Sequence, residues 1–407
     1  MPPTPTPAPA RATAPAERVP APDLARGAVL LLICLANVHV FLPAGGGGVS
    51  GYPGPASMSA ADRAVALLQN CLVDGRAFPV FSLLVGYGTW QLARRRLRLG
   101  EEHERVRRLL RRRGWALVLI GALHGVLLFS GDIAATYGLL LVVLAGALAS
   151  PRRRGLVVLA VAGTALTAAS GLLAAVPVEG AADGPVSSLE SASLPGALLA
   201  RVLEWSTGTV AGPLVVAGPL ALGALAARAG LLEDPARHRR TLVVLAAAGV
   251  PLAALGGLPL GLLAVGAWQP GTPGALAAGA VHALTGCAGG VGYAALAGLV
   301  VARAGRGASL PAPVRALTAL GRRSLSGYLG HSVVLAALLP ASTLGLGARL
   351  GVAQASALAV LTWLVLLLGA LVLERTGGRG PAEVLLRRLT YGRPRPAVPV
   401  PHLRVVR

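Results

Sequence analysis

Four histidines stand within apolar stretches of this chain: His39, His124, His282 and His331. Imidazole takes up and returns a proton near neutral pH, so each is a candidate general base or proton carrier. His124 precedes Asp132 by eight residues in GALHGVLLFSGDIAATYGLLL. A carboxylate that reached the ring across the GDI turn would orient it for base catalysis. Asp74 and Arg76 form a second close pair, and Glu204 adds a further acid. At the start of the first apolar run, Asp23 and Arg26 are three residues apart, close enough to pair on one helix face. Asn37 lies eleven residues after Arg26; at 100° per residue that is about 20° off the same face and ~16 Å further along the helix. Each feature has a plainer reading. A single histidine can be a neutral ring bonded to a carbonyl, Asp132 can cap the helix that follows it, and Arg26 can anchor a helix at lipid headgroups.

The elements that must position these groups are set by composition. Of 407 residues, 54% are hydrophobic and 13% charged. Ten apolar segments recur, at roughly 26–42, 66–92, 112–129, 133–149, 155–176, 201–227, 241–267, 275–301, 316–339 and 352–373. Stretches of about 18 or more apolar residues suffice to cross a hydrocarbon core of ~30 Å as helices. The expected fold is therefore an all-α polytopic membrane protein of about ten transmembrane helices. That excludes a secreted disulfide scaffold, a soluble α/β enzyme and a disordered chain.

All 37 basic residues are arginine, ten of them between Arg94 and Arg113, and arginine-rich intervals alternate with arginine-poor ones. Under the positive-inside rule both termini are cytoplasmic, and the intervals 43–65, 130–132, 177–200, 268–274 and 340–351 face outside. The net charge of +21 then belongs against anionic lipid headgroups at the cytoplasmic face, and no aromatic interleaving suggests nucleic acid. In this topology all four histidines fall toward the outer ends of their helices. With Asp74, Arg76, Asp132 and Glu204 they suggest a polar cavity opening outward. Arg322 and Arg323 mark the inner part of the ninth segment. The sixth carries Pro213 and Pro219 and is expected to kink, freeing carbonyls that must be satisfied within the bundle. Residues 1–22 read as a disordered Pro/Ala-rich tail, 23–392 as the transmembrane domain and 393–407 as a basic, Pro-rich tail. The three cysteines have no CxxC spacing, so no metal site is expected, and the absence of lysine removes any Schiff-base chemistry carried by this chain.

Five ordered motifs, DLARGAVLLLICLANV (Asp23 to Val38), GRAFPVFSLLVGYG (Gly75 to Gly88), GALHGVLLFSGDIAATYGLLL (Gly121 to Leu141), LTALGRRSLSGYLGHSVV (Leu317 to Val334) and GPAEVLLRRLTYG (Gly380 to Gly392), resemble those of the YeiB-like membrane proteins, domain-of-unknown-function family 418. The resemblance implies kinship with transmembrane acyltransferases such as heparan-alpha-glucosaminide N-acetyltransferase and the polysaccharide O-acyltransferases. It departs from them in informative places. The O-acyltransferases carry a catalytic His eleven residues after the Arg of the first span, where this chain has Asn37. The heparan enzyme's family has Asn there but a working His in the next outer loop, and residues 43–65 contain none. His124 matches the YeiB-like GxxH…GD pattern and is the better candidate base; at His331 that family usually has Gln.

The first functional expectation is therefore acyl transfer. An acyl thioester such as acyl-CoA, with no tightly bound cofactor, would approach from the cytoplasm with its phosphates near Arg26 and Arg322 or Arg323. His124, oriented by Asp132, would act as general base on a glycan or lipid acceptor outside, and Asn37 would help hold the oxyanion. Asp23, Asp74, Arg76, Tyr137, Tyr328 and His331 complete the candidate substrate-binding set. The alternative is a transporter or flippase whose protonatable groups line a pathway without covalent chemistry, and a third reading is an assembly subunit with no site of its own. The expected location is the bacterial cytoplasmic membrane.

Overall fold

The computed structural model describes residues 19–42, 49–150, 152–174, 188–304 and 310–392, and all regular structure among them is helical. The helices are α1 (Pro20–Val38), α2 (Ala60–Leu72), α3 (Ala77–Arg98), α4 (His103–Leu127), α5 (Ala134–Ala149), α6 (Arg154–Ala174) and α7 (Leu194–Arg228). They continue with α8 (Arg239–Ala264), α9 (Thr272–Ala304), α10 (Ala312–Gly321), α11 (Ser324–Leu338), α12 (Val352–Arg375) and α13 (Pro381–Tyr391). The start of α1 lies slightly ahead of the expected boundary at residue 23, because Pro20 suits a first helical position whose N–H has no partner anyway. The rest of the expected N-terminal tail and the whole of 393–407 lie outside the described residues. Parts of two expected outer loops are helical: α2 begins at Ala60 behind a Ser59 capping box, and α7 begins at Leu194.

Among the described residues six helices are long and apolar enough to cross a membrane: Pro20–Phe41, Arg154–Leu172, Leu194–Arg228, Arg239–Ala264, Thr272–Ala304 and Val352–Arg375. Their outward faces carry large aliphatic side chains; Val210 is 73% exposed, and Val161 and Leu255 are 69% exposed. Such a surface is tolerable only against lipid or a partner. The other four expected segments take different forms. Segment 112–129 extends back through arginine-rich turns to His103 as α4, and segment 133–149 is the 16-residue α5. Segments 66–92 and 316–339 are each broken in two at ionisable residues, the first between α2 and α3 and the second between α10 and α11.

Both breaks have local causes. After α2 the N–H groups of Val73 and Asp74 both bond the Gln69 carbonyl, and Gly75 at φ +69 turns the chain into α3. The left-handed φ suits glycine because it has no Cβ. At the second break Arg323 N–H bonds back to Leu320, and the amides of Leu325 and Ser326 at the start of α11 are taken by Glu383 Oε1 of α13 at 2.8 and 3.2 Å. A carboxylate satisfies the otherwise unpaired donors there and complements the helix dipole.

The elements pack as α8 on α9, α4 on α5, α3 on α7, and α1 on α10 and α12. The crossing of α1 and α10 is backbone on backbone. A Cβ at Gly321 would overlap the Asp23 carbonyl, one at Gly27 would overlap the Leu317 carbonyl, and Trp363 Nε1 donates to the Gly27 carbonyl at 3.2 Å. Helix α7 runs unbroken through Pro213 and Pro219. Pro219 has no N–H for the Val215 carbonyl, and Thr167 Oγ1 of α6 lies 2.6 Å from that oxygen as its donor.

Candidate functional site

His124, near the end of α4, places Nδ1 2.8 Å from Asp132 Oδ1, and neither side chain is open to solvent. An ionised carboxylate can only accept, so with a neutral ring Nδ1 would carry the hydrogen and Nε2 keep its lone pair. That Nε2 is buried and has no hydrogen-bond partner. Asp132 Oδ2 also accepts the Ala135 N–H at 2.7 Å. The acid therefore caps α5 and holds the ring at once. Tyr328 of α11 completes the arrangement: its hydroxyl accepts the Ile133 N–H at 3.1 Å and donates to Asp132 Oδ1 at 3.3 Å. The Tyr328 ring lies 4.8 Å from that of His124 and 5.3 Å from that of His331. His331 is buried as well, and its Nε2 is likewise unpartnered. The turn is braced from α7, where Arg201 donates to the Leu127 carbonyl at 2.9 Å and Glu204 accepts from Ser130 at 2.6 Å and from Ser188. Glu204 thus supports the turn beside the pair.

The four histidines divide between two centres. His39 and His282 belong to the second, at the break between α2 and α3. Arg76 is fully buried; its guanidinium donates to the carbonyls of Asp74 and Ala253 and meets the His282 ring nitrogens at 3.0 and 3.1 Å. Asp74 Oδ2 is 2.5 Å from the Tyr52 hydroxyl, which is 2.8 Å from Gln69 Oε1. The His39 ring stacks on Tyr52 at 4.0 Å with an interplanar angle of 5°. Asn37 is buried, yet among the described residues no hydrogen bond joins it to either centre. Tyr137 shares a hydrogen bond of 2.9 Å with Ser82 of α3.

The arginines expected at the inner side are already engaged. Arg26 pairs with Asp23 at 3.0 Å and donates to the Leu84 carbonyl at 3.1 Å. Arg322 and Arg323 both meet Glu374 of α12, at 2.5 and 2.8 Å, and Arg323 also donates to the Gly378 carbonyl. The side chains of Arg26 and Arg322 remain 22% and 27% exposed against 8% for Arg323, so the first two are the ones an incoming anion can reach.

Sequence reasoning missed Tyr52, Gln69, Ser356, Glu374 and Glu383. A polar Gln in an apolar segment was the one available signal, since the others sit near segment ends where polar residues are unremarkable. It also missed Asp62, which closes the Ser59 capping box and accepts the Ala353 N–H at 2.8 Å, tying α2 to the start of α12. These residues border a surface cleft of about 620 Å³. Burial works to raise the Asp62 pKa, but the amides of Ala353, Ser59 and Val352 and the Ser59 hydroxyl outweigh it, and the carboxyl sits below its ordinary value.

Residues 226–393 match the model of a family described as Protein of unknown function (DUF418). No curated protein and no solved structure matches the chain. The matched stretch holds Arg322, Tyr328, His331, Glu374 and Glu383, and it reaches the N-terminal pair of His124 and Asp132 through the Tyr328 hydroxyl. The match over residues 226–393 supports the DUF418 family for this stretch of the chain.

Proposed function

We propose that this protein is a ten-span acyltransferase of a bacterial cytoplasmic membrane, with both termini cytoplasmic. On this reading it moves an acyl group from a cytoplasmic thioester donor, such as acyl-CoA, to a glycan or lipid acceptor at the outer face. The observation that carries the reading is the buried His124–Asp132 pair, in which Nδ1 is held at 2.8 Å and Nε2 has no hydrogen-bond partner, so that a neutral ring presents its lone pair there. That is the state a general base needs before it takes a proton from an acceptor hydroxyl or amine. Tyr328 fixes the acid, and Arg26 and Arg322 are the charges a donor phosphate would meet by displacing Asp23 or Glu374. Because His124 is closed to solvent, an acceptor reaches it only when the helices around it part.

The test is transfer of radiolabelled acyl groups from a thioester donor in membranes containing the protein or its His124→Ala variant. Label should reach an acceptor with the native protein and fall by about 10²- to 10⁴-fold with the variant. Undiminished transfer removes His124 from the mechanism. Substrate crossing the membrane with no covalent labelling would favour the transporter or flippase reading.

A further inference from the structure

The second buried centre, which holds the Asp74 and Arg76 expected to bind substrate, supplies none of the groups that the proposed acyl transfer uses, and its hydrogens can be counted from one end. The Val352 carbonyl can only accept. Ser356 Oγ lies 2.6 Å from it, so the serine hydrogen points there. Having used its one hydrogen, Ser356 Oγ must accept from Gln69 at 2.8 Å, which sets the amide with Nε2 toward the serine and Oε1 toward Tyr52. Gln69 Oε1, a pure acceptor, then takes the Tyr52 hydrogen at 2.8 Å. One contact is left, Tyr52 Oη to Asp74 Oδ2 at 2.5 Å. The tyrosine has no hydrogen remaining, so the bond exists only if Asp74 supplies one.

We propose that Asp74 is a buried proton-binding site, a neutral carboxylic acid at the head of a one-way hydrogen-bond chain through Tyr52, Gln69 and Ser356 to the Val352 carbonyl.

Two further observations agree with it. Asp74 Oδ1 is buried and without a partner. An ionised carboxylate would leave a charged oxygen bare in that position, whereas the carbonyl oxygen of a neutral acid is far cheaper to leave so. Arg76, the residue that precedes α3, bonds the Asp74 backbone carbonyl, the Ala253 carbonyl and the His282 ring without bonding the Asp74 carboxyl. The other polar or titratable groups around the site are Asn70 and Cys71 of α2, His39 beyond the end of α1, and His282 and Tyr293 of α9. None of them donates to the carboxyl. Loss of the proton would bring a carboxylate into the field of Arg76 and His39. Tyr52 would have to turn its hydrogen from Gln69 to Asp74, so protonation is linked to the tie between the α2–α3 break and α12.

The experiment is infrared spectroscopy of the full-length protein in lipid vesicles at neutral pH, before and after exchange into D2O. The wild type should show a carboxylic-acid C=O band that moves on exchange; Asp74→Asn should remove it and Tyr52→Phe should displace it, while Asp132→Asn leaves it unchanged. Absence of such a band, a loss confined to ionised-carboxylate bands in Asp74→Asn, or an unmoved band in Tyr52→Phe would overturn the assignment. If Asp74→Asn does not fold, the Tyr52→Phe comparison decides, because it retains Asp74.

Discussion

Replacing Asp132 by Asn separates the chemistry of the His124 pair from its structural role. Asp132 receives two short hydrogen bonds, from His124 Nδ1 at 2.8 Å and Ala135 N at 2.7 Å, and a longer one from Tyr328 at 3.3 Å. In Asp132→Asn the amide oxygen can keep the Ala135 N–H. The NH2 group then faces His124 Nδ1, which must become an acceptor, and the ring hydrogen moves to Nε2. The lone pair needed for base catalysis is lost from Nε2; His124 and Ala135 remain bonded, but the Tyr328 hydroxyl, which donates to the same Oδ1, loses its acceptor. Stability should therefore fall by about 2–5 kcal/mol, from the exchange of charge-assisted for neutral bonds and the one unpaired hydroxyl, while transfer falls by roughly 10²- to 10⁴-fold. Asp132→Ala is the contrast. It leaves the His124, Ala135 and Tyr328 donors buried and unpaired, at about 1–3 kcal/mol each, so it should cost roughly 3–9 kcal/mol. The assays are acyl transfer in membranes, thermal unfolding in detergent, and 15N NMR of labelled histidine to read the tautomer. Wild-type transfer by Asp132→Asn, or an unchanged His124 tautomer in it, would refute the reasoning.

Two further predictions concern the scaffold. Asp62 sits below its ordinary pKa, so its contribution is complete above the unfolded value of about 3.9 and is lost as pH falls through the lower folded value. Asp62→Asn should cost about 1–2 kcal/mol at neutral pH and reduce the loss of stability below pH ~4, measured by melting across a pH series; an unchanged acid limb would mean that another carboxylate governs it. Gly321→Ala must push α10 away from the Asp23 carbonyl, a rigid neighbour, and should lower stability by about 1–3 kcal/mol in the same melting assay. A melting midpoint equal to wild type would show that the two helices do not meet at this residue.

The parts of this architecture that were legible in the sequence are the local ones. His124 and Asp132 are eight residues apart across one turn, so a short motif suffices to suggest the bond the structure contains. The helical class follows from apolar content, and among the described residues six segments form helices of spanning length and composition. The breaks were not legible, because averaging hydropathy over a segment hides four residues such as Val73 to Arg76 between two apolar arms. The partners of Asp74 were hidden for a different reason. Gln69 meets Ser356 across a sequence separation of 287, and nothing in either local pattern marks the other. Arg322 and Arg323 read as free charges since Glu374 lies at the far end of another helix, where an acid is ordinary.

The broken segments also explain why the N-terminal pair and the C-terminal family segment form one unit. Irregular backbone within a membrane bundle persists only where protein groups satisfy it. At the start of α11 this is done by Glu383, which takes the amides of Leu325 and Ser326 and the Ser326 hydroxyl at 2.5 Å. Arg323, at the same break, is held by Glu374 and the Gly378 carbonyl. Tyr328 follows less than two turns later and bonds Asp132, which holds His124. A short helix pinned at its N-terminal end thus sets the position of the tyrosine that fixes the acid. Helix α13, which touches neither histidine, is needed because it supplies Glu383. The GPAEVLLRRLTYG motif accordingly reads as a support for the dyad as well as a basic amphipathic end.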